Sequence, residues 1–488
     1  MANVRQSLKL GVFTLAIMNV TAVVSLRGLP AEAEYGLSSA FYYIFAAIVF
    51  LIPTAMVAAE LAAMFQDKQG GVFRWVGEAF GKKIGFLAIW VQWLQNTIWY
   101  PTVLTFGAVS LAFIGMNPQE DMLLASNKIY TLVVVLIIYW LATFISLKGL
   151  GWVGKVSKIG GLVGTIIPAA ILVILGIIYL ATGGKSQMDF GGSFFPDLSN
   201  FNNLVLASGI FLFYAGMEMS GVHVQDMENP SKNYPKAIFI GSAITVLIFI
   251  LGTFALGVII PQKEINLTQS LLVGFDRYFA YIRASWLSPI MAIALTFGVL
   301  AGVLTWVAGP SKGLFSVGRA GYLPPFLQKT NAIGVQKNIL YLQGIAVTLL
   351  SLLFVVMPSV QSFYQILSQL TVILYIIMYL LMFAAAIVLR YKMKNAKRPF
   401  RIGKGNALMW IVAGVGFLGS LLAFVLSFVP PAQIEVGSNA AWYSVLIIGC
   451  IICVVAPFII YANRKPEWLD KDSELEPFHW EENGGNSK

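Results

Sequence analysis

Long apolar runs alternate with short polar segments along the whole chain. Twelve runs, at about 10–30, 38–64, 84–114, 129–148, 155–182, 203–225, 237–260, 285–309, 338–357, 361–389, 407–428 and 440–462, are long enough to cross a hydrocarbon core about 30 Å thick as helices. The pattern predicts an all-α integral membrane protein with twelve transmembrane helices. Two runs are interrupted. In the first, LAIMNVTAVVS gives way to Arg27, Gly28, Leu29 and Pro30 and then to an acidic stretch. In the sixth, SGIFLFYAGMEMS breaks around Gly216 and places Glu218 just past the break, ahead of an Asn229-Pro230 turn. Irregular backbone beside a carboxylate at membrane depth is costly in hydrocarbon, so such a segment belongs at a cavity where something is bound or moved.

The two broken helices lie five runs apart, which suggests an internal repeat. In transporters such repeats are often inverted and their discontinuous helices meet near the midplane. Half-helix N-termini there favour a carboxylate and half-helix C-termini a cation or ammonium. An amino acid carries both groups, although the pattern alone leaves other zwitterions and a channel open.

Composition narrows the class. Charged residues make up 11% of the chain and apolar residues 58%, against roughly 25% charged in soluble proteins. The formal net charge of +10 then reads as topology and not as a nucleic-acid surface. Placing both termini in the cytoplasm puts most Lys and Arg on that side, with the largest share in one loop: Arg390, Lys392, Lys394, Lys397, Arg398, Arg401 and Lys404. The outer loops then carry Glu32, Glu34, Glu120 and Asp121. The N-terminal MANVRQSLKLGVF lacks a small-residue cleavage site, so the first run is expected to be retained. Cys450 and Cys453 lack a second ligand pair and read as packing residues. With His223 and His479 the only histidines, no metal site is expected. No phosphate-cradling loop or nucleophile elbow is present, so neither a cofactor nor enzymatic activity is expected.

Several blocks in order give the chain a resemblance. They are Glu60-Leu61, Gly70-Gly71-Val72-Phe73-Arg74-Trp75, Lys158, the Gly216-x-Glu218 to Asn229-Pro230 to Tyr234-Pro235 block, and Trp306 followed by Gly309-Pro310-Ser311-Lys312-Gly313. With these the chain resembles the amino acid-polyamine-organocation superfamily over nearly its whole length, most closely the bacterial glutamate/GABA antiporters. The resemblance implies a transporter domain over 1–463, with five-plus-five inverted repeats at about 10–182 and 203–389 and broken helices one and six. Two further helices follow at about 407–462, then a cytoplasmic tail at 464–488. It also implies a bacterial inner-membrane protein whose partners are small amino acids or amines and lipid.

Mapped onto this sequence, the resemblance implies that the substrate's amino and carboxyl groups are held by the backbone of Ala22, Val23, Val24 and Ser25 and of Phe213, Ala215 and Gly216. Glu218 is then a proton carrier or an organiser of the break, or else a permanently paired buried acid. Lys158 either fills the space a sodium ion takes in sodium-coupled members of the fold or snorkels to the cytoplasmic surface. Tyr375 and Tyr379, spaced i,i+4, share one helix face and match tyrosines on the substrate path. Trp306 matches a tryptophan near the site, where it would seal one side of the cavity or simply pack. The chain departs from the antiporters at Gly302, where they carry glutamate, and at Arg27, where they carry tyrosine. If both face the cavity, they favour a substrate with an ionised acidic group. Alternatively Arg27 pairs with Glu32 or Glu34 and never touches substrate.

The composition of the tail reads as a solvated segment. The resemblance suggests a plug over the cytoplasmic path, with His479 between Phe478 and Trp480 as its pH-sensitive anchor. The expected activity is exchange of glutamate or a related amino acid for GABA or another amine, a step of the kind used in acid resistance. A proton-coupled symporter and a transport-inactive sensor are the alternatives.

Overall fold

The structure, a computed structural model, describes residues 11–199, 201–218, 229–473 and 475–482. The end of the sixth apolar run, with His223, and the first and last residues of the chain lie outside the described residues. The described chain is helical, without strands; a single isolated bridge joins Ala320 to Leu469. Nine of its helices are long and apolar enough to cross a membrane.

Helix α1 (Val12–Val23) and the short α2 (Leu29–Ala33) are the two halves of the first run. They are followed by α3 (Ser38–Met64), the short α4 (Val72–Phe80), α5 (Lys82–Ala112), the short α6 (Pro118–Ala125), α7 (Lys128–Ser146) and α8 (150–181). Next come α9 (Gly209–Tyr214), α10 (Pro230–Ile259), α11 (Ser270–Tyr281), α12 (Leu287–Arg319), α13 (Lys337–Val356), α14 (Val360–Lys392), α15 (Ala407–Leu426) and α16 (Asn439–Ala462). Helix α5 is long but not among the nine apolar ones, because it carries Gln92, Gln95 and Asn96 among its tryptophans. It is nevertheless a central helix, packed against α12 and α14, so its polar residues lie inside the protein.

Two helices widen for one π turn, at Ala47–Leu51 in α3 and Leu162–Ile166 in α8. Each turn precedes a proline, Pro53 and Pro168. A proline offers no N–H and crowds the carbonyl four residues back, and a wider turn relieves both effects. Small residues set the approach of α8 to α12. A methyl at Gly164 would meet the Gly298 backbone and one at Gly160 would meet Ala301, whereas one at Gly161 meets nothing within 4 Å. Gly160 and Gly164 thus permit the close approach of the two helices, while Gly161 faces open space. Cys453 is buried and its carbonyl accepts a bond from the Trp90 indole, in keeping with a packing role.

Candidate functional site

Both expected breaks are present. After Val23 the backbone leaves the helix for extended geometry at Val24 (φ −64°, ψ 124°) and Ser25 (φ −141°, ψ 124°), then re-enters through a 3-10 turn at Leu26–Gly28. After Tyr214 it extends at Ala215 (φ −69°, ψ 149°) and turns at Gly216 with φ 109°. That conformation favours glycine, and the Trp306 ring lies 3.2 Å from where a Cβ would stand.

Glu218 fastens the second break. Its Oε1 accepts the Tyr375 hydroxyl at 2.5 Å, and its Oε2 accepts the Tyr379 hydroxyl at 2.5 Å and the Gly216 N–H at 3.1 Å. The same N–H donates to the Tyr379 oxygen at 2.9 Å. The i,i+4 spacing that puts the two tyrosines on one face of α14 therefore aims both phenols at one carboxylate. Three donors from two segments converge on one side chain, so the set clamps α9 to α14. The Gly216 amide is spent on this network. Within the sixth run, Leu212, Phe213 and Ala215 face the cavity, and Gly216 does not.

The cavity has a volume of about 200 Å³. It is lined by Val23, Val24 and Ser25 from the first break, Phe213 and Ala215 from the second, Gly302 and Trp306 from α12 and Tyr375 from α14. Ala22 closes α1, and its side chain lies outside the described residues. Trp306 stands edge-on to Trp99 with ring centroids 6.2 Å apart, closing one wall. A Cβ at Gly302 would meet nothing within 4 Å, so the missing side chain leaves open cavity.

Arg27 also lines the cavity. Its Nη1 donates to the Thr102 hydroxyl at 3.0 Å, and its guanidinium carbon lies 5.2 Å from the Trp99 ring centroid and 5.5 Å from that of Phe213. It forms no ion pair with Glu32 or Glu34 among the described residues, which corrects the expectation that it is neutralised near the outer mouth. Both Glu32 carboxylate oxygens are buried without a hydrogen-bond partner. Lys158 is not brought into the group: it is exposed and absent from the cavity lining, while its neighbour Ser157 faces the cavity and bonds Thr305 at 2.8 Å. Trp99, Gln95 and Asn96 were not singled out in the sequence and belong to the wall. Their signal was the polar character of α5 within an otherwise apolar chain.

Two polar assemblies lie away from the cavity. Glu60, at the end of α3, pairs bidentately with Arg390 of α14 at 2.5 and 2.6 Å, and its Oε2 also accepts the Ile402 N–H at 2.7 Å. The tail forms the second, and it is not a solvated segment over its described residues. Phe478 is buried against Phe73 and Gly77 of α4, beneath the Arg74 guanidinium at 4.8 Å. Arg74 donates to the carbonyls of Glu476 and Pro477 at 2.5 and 2.8 Å. Lys68 pairs with Glu476, Lys82 with Glu481, and Arg319 with Asp470 at 2.7 Å. The Trp480 indole donates to the Gly77 carbonyl at 3.2 Å. No described tail residue lines the cavity.

Glu78, outside the membrane-spanning segments, carries the pH sign of this docking. Burial raises its carboxyl above the ordinary range, opposed by the His479 N–H and Arg74. A carboxyl raised in the docked state favours docking below that raised pKa and weakens it as pH climbs through it. Asp470, held low by its hydrogen bond from Arg319, loses its contribution only as pH falls below the ordinary aspartate value of about 3.9. Spin labels at exposed Gln66 and Lys471 are therefore expected to report the same short distance at pH 5 as at pH 7, and Phe478→Ala to lengthen it at both. A distance that lengthens at pH 5 in the unaltered tail contradicts this sign.

A family model described as amino acid permease matches residues 10–453. An uncharacterised transporter of Legionella pneumophila is 36% identical over 460 residues, covering 94% of this chain and 98% of that protein. A glutamate/gamma-aminobutyrate antiporter of Lactococcus lactis is 33% identical over 480 residues, covering 97% and 93%. An aspartate/glutamate permease of the same species is 24% identical, covering 95% and 98%.

Proposed function

Because the chain belongs to the amino acid permease family, within the amino acid-polyamine-organocation superfamily, we propose that it exchanges glutamate or a related amino acid for GABA or another amine by alternating access. The observation that carries this reading is the meeting of two interrupted helices at one cavity. Extended backbone at Val24, Ser25 and Ala215 lies beside this cavity, and it is the part of the wall that we assign to the groups every amino acid shares. The side chains of α5, α12 and α14 supply selectivity. Glu218 and its two tyrosines hold the second break in shape and link it to α14, so rearranging this network would move both together.

In the same reading the chain carries twelve spans, as two inverted five-helix repeats and two added helices, with the transporter domain ending near 463. Both termini lie in the cytoplasm of a bacterial cell and the protein sits in its inner membrane. Sequence similarity to an antiporter over most of both chains supports exchange, and the lack of an acid among the described residues of the cavity wall supports a carboxylate-bearing substrate.

Counterflow tests the reading. Purified protein in liposomes preloaded with glutamate or GABA is expected to take up labelled glutamate many times faster than in empty liposomes. Equal uptake into empty liposomes driven by an imposed proton gradient would favour proton symport, and binding without any movement would favour a sensor.

A further inference from the structure

Arg27 is the single charged side chain among the described residues that line the cavity. It is 4% exposed, and its buried Nε–H has no hydrogen-bond partner. One bond, from Nη1 to the Thr102 hydroxyl, and the faces of Trp99 and Phe213 hold the guanidinium in place without neutralising it. A hydroxyl and two aromatic faces orient a cation, but they are weak compensation for a charge taken out of water. A buried charge without an ionic partner is costly, so a buried guanidinium of this kind is poised to take a carboxylate. Glu32 and Glu34 do not supply it. The cavity is open at Gly302, and its described lining carries no acid that would compete.

We infer that Arg27 is the specificity-determining residue of the cavity, binding a second carboxylate of the substrate in its ionised form. The substrate class is then an amino acid whose side chain carries an anionic carboxylate, entering with net charge −1 at neutral pH. The inference rests on the transporter reading and deepens it: the two breaks take the α-amino and α-carboxyl groups, and Arg27 takes the side-chain carboxylate through its free Nε–H and remaining donors. The planar fork of a guanidinium suits this geometry better than an ammonium would.

Glutamate and glutamine have nearly the same shape and differ in this charge, so their competition against labelled substrate in counterflow at pH 7 reads the inference directly. Hydrogen bonds to a charged group correspond to a preference for glutamate of about 10- to 100-fold. Arg27→Gln is expected to abolish the preference by weakening glutamate, leaving glutamine within a few-fold, and Arg27→Lys to keep part of it. Should Arg27→Gln fail to fold, Gly302→Glu provides the second arm, since its side chain enters open space and sets an acid against the substrate's own. It too is expected to reduce the glutamate preference about tenfold or more. A protein that exchanges amino acids but treats glutamate and glutamine alike, or a preference unchanged in both variants, overturns the inference while leaving the transporter reading intact. A protein that moves no amino acid at all overturns both.

Discussion

Replacing Glu218 by glutamine is expected to slow amino-acid exchange about 10- to 100-fold while the protein still assembles and elutes as a single species. The amide has one oxygen where two now accept from two phenols and one backbone N–H, and leaving a buried donor unsatisfied costs about 1–3 kcal/mol. The same energy at a transition state corresponds to that range of rates. Tyr379→Phe removes one phenol and one acceptor for the Gly216 N–H, so it is expected to lower the rate by a smaller factor. Proteoliposome exchange rates normalised to folded protein are the check. A Glu218→Gln rate within twofold of the parent would leave the network a packing feature with no part in turnover.

The largest effect on stability is expected from Glu60. The pair with Arg390 is almost wholly buried, at 2% and 1% side-chain exposure, and links residues on two helices and the 398–405 loop. Breaking a buried pair by removing one member costs about 3–5 kcal/mol because the other charge is left behind. Glu60→Ala and Arg390→Ala should each lower the unfolding temperature in detergent by several degrees, with the double variant losing clearly less than the sum. Additive losses would mean that the two side chains do not share an interaction.

How much of this was legible depended on the range of the signal. The second break was written locally, in Gly216, and appears there, whereas the first opens at Val24 and Ser25, just ahead of the Arg27-Gly28-Leu29-Pro30 run, which is itself helical. The i,i+4 spacing of Tyr375 and Tyr379 gave their common face, and the structure adds that this face meets Glu218. Which partner a charge chooses across hundreds of residues is not a local property. Glu60 and Arg390 are 330 positions apart, and nothing near either one names the other.

Arg27 shows the same limit in reverse. Proximity in sequence favoured Glu32 and Glu34 as its partners, yet the turn at Leu26–Gly28 points the guanidinium to the cavity instead. The tail was read from polarity alone as solvated. Its acids are matched by Lys68, Lys82 and Arg319, and Phe478 fills the space beside Gly77, a complementarity visible only once α4 is folded beside it. Of the two readings of Lys158, its exposed side chain fits the one at the surface. Its neighbour Ser157 faces the cavity, and a one-residue step along a helix turns a side chain by about 100°, away from it.

The claim on which the whole account depends is that the cavity between the two breaks is where substrate sits. A cysteine at position 302, with Cys450 and Cys453 replaced by alanine, places one thiol in that open space. The rate at which a small thiol reagent modifies it is the measurement. Saturating substrate is expected to slow modification at least several-fold, in parallel with its apparent affinity in exchange. Modification at an unchanged rate, in protein still exchanging that substrate, would place the binding site elsewhere and contradict the account.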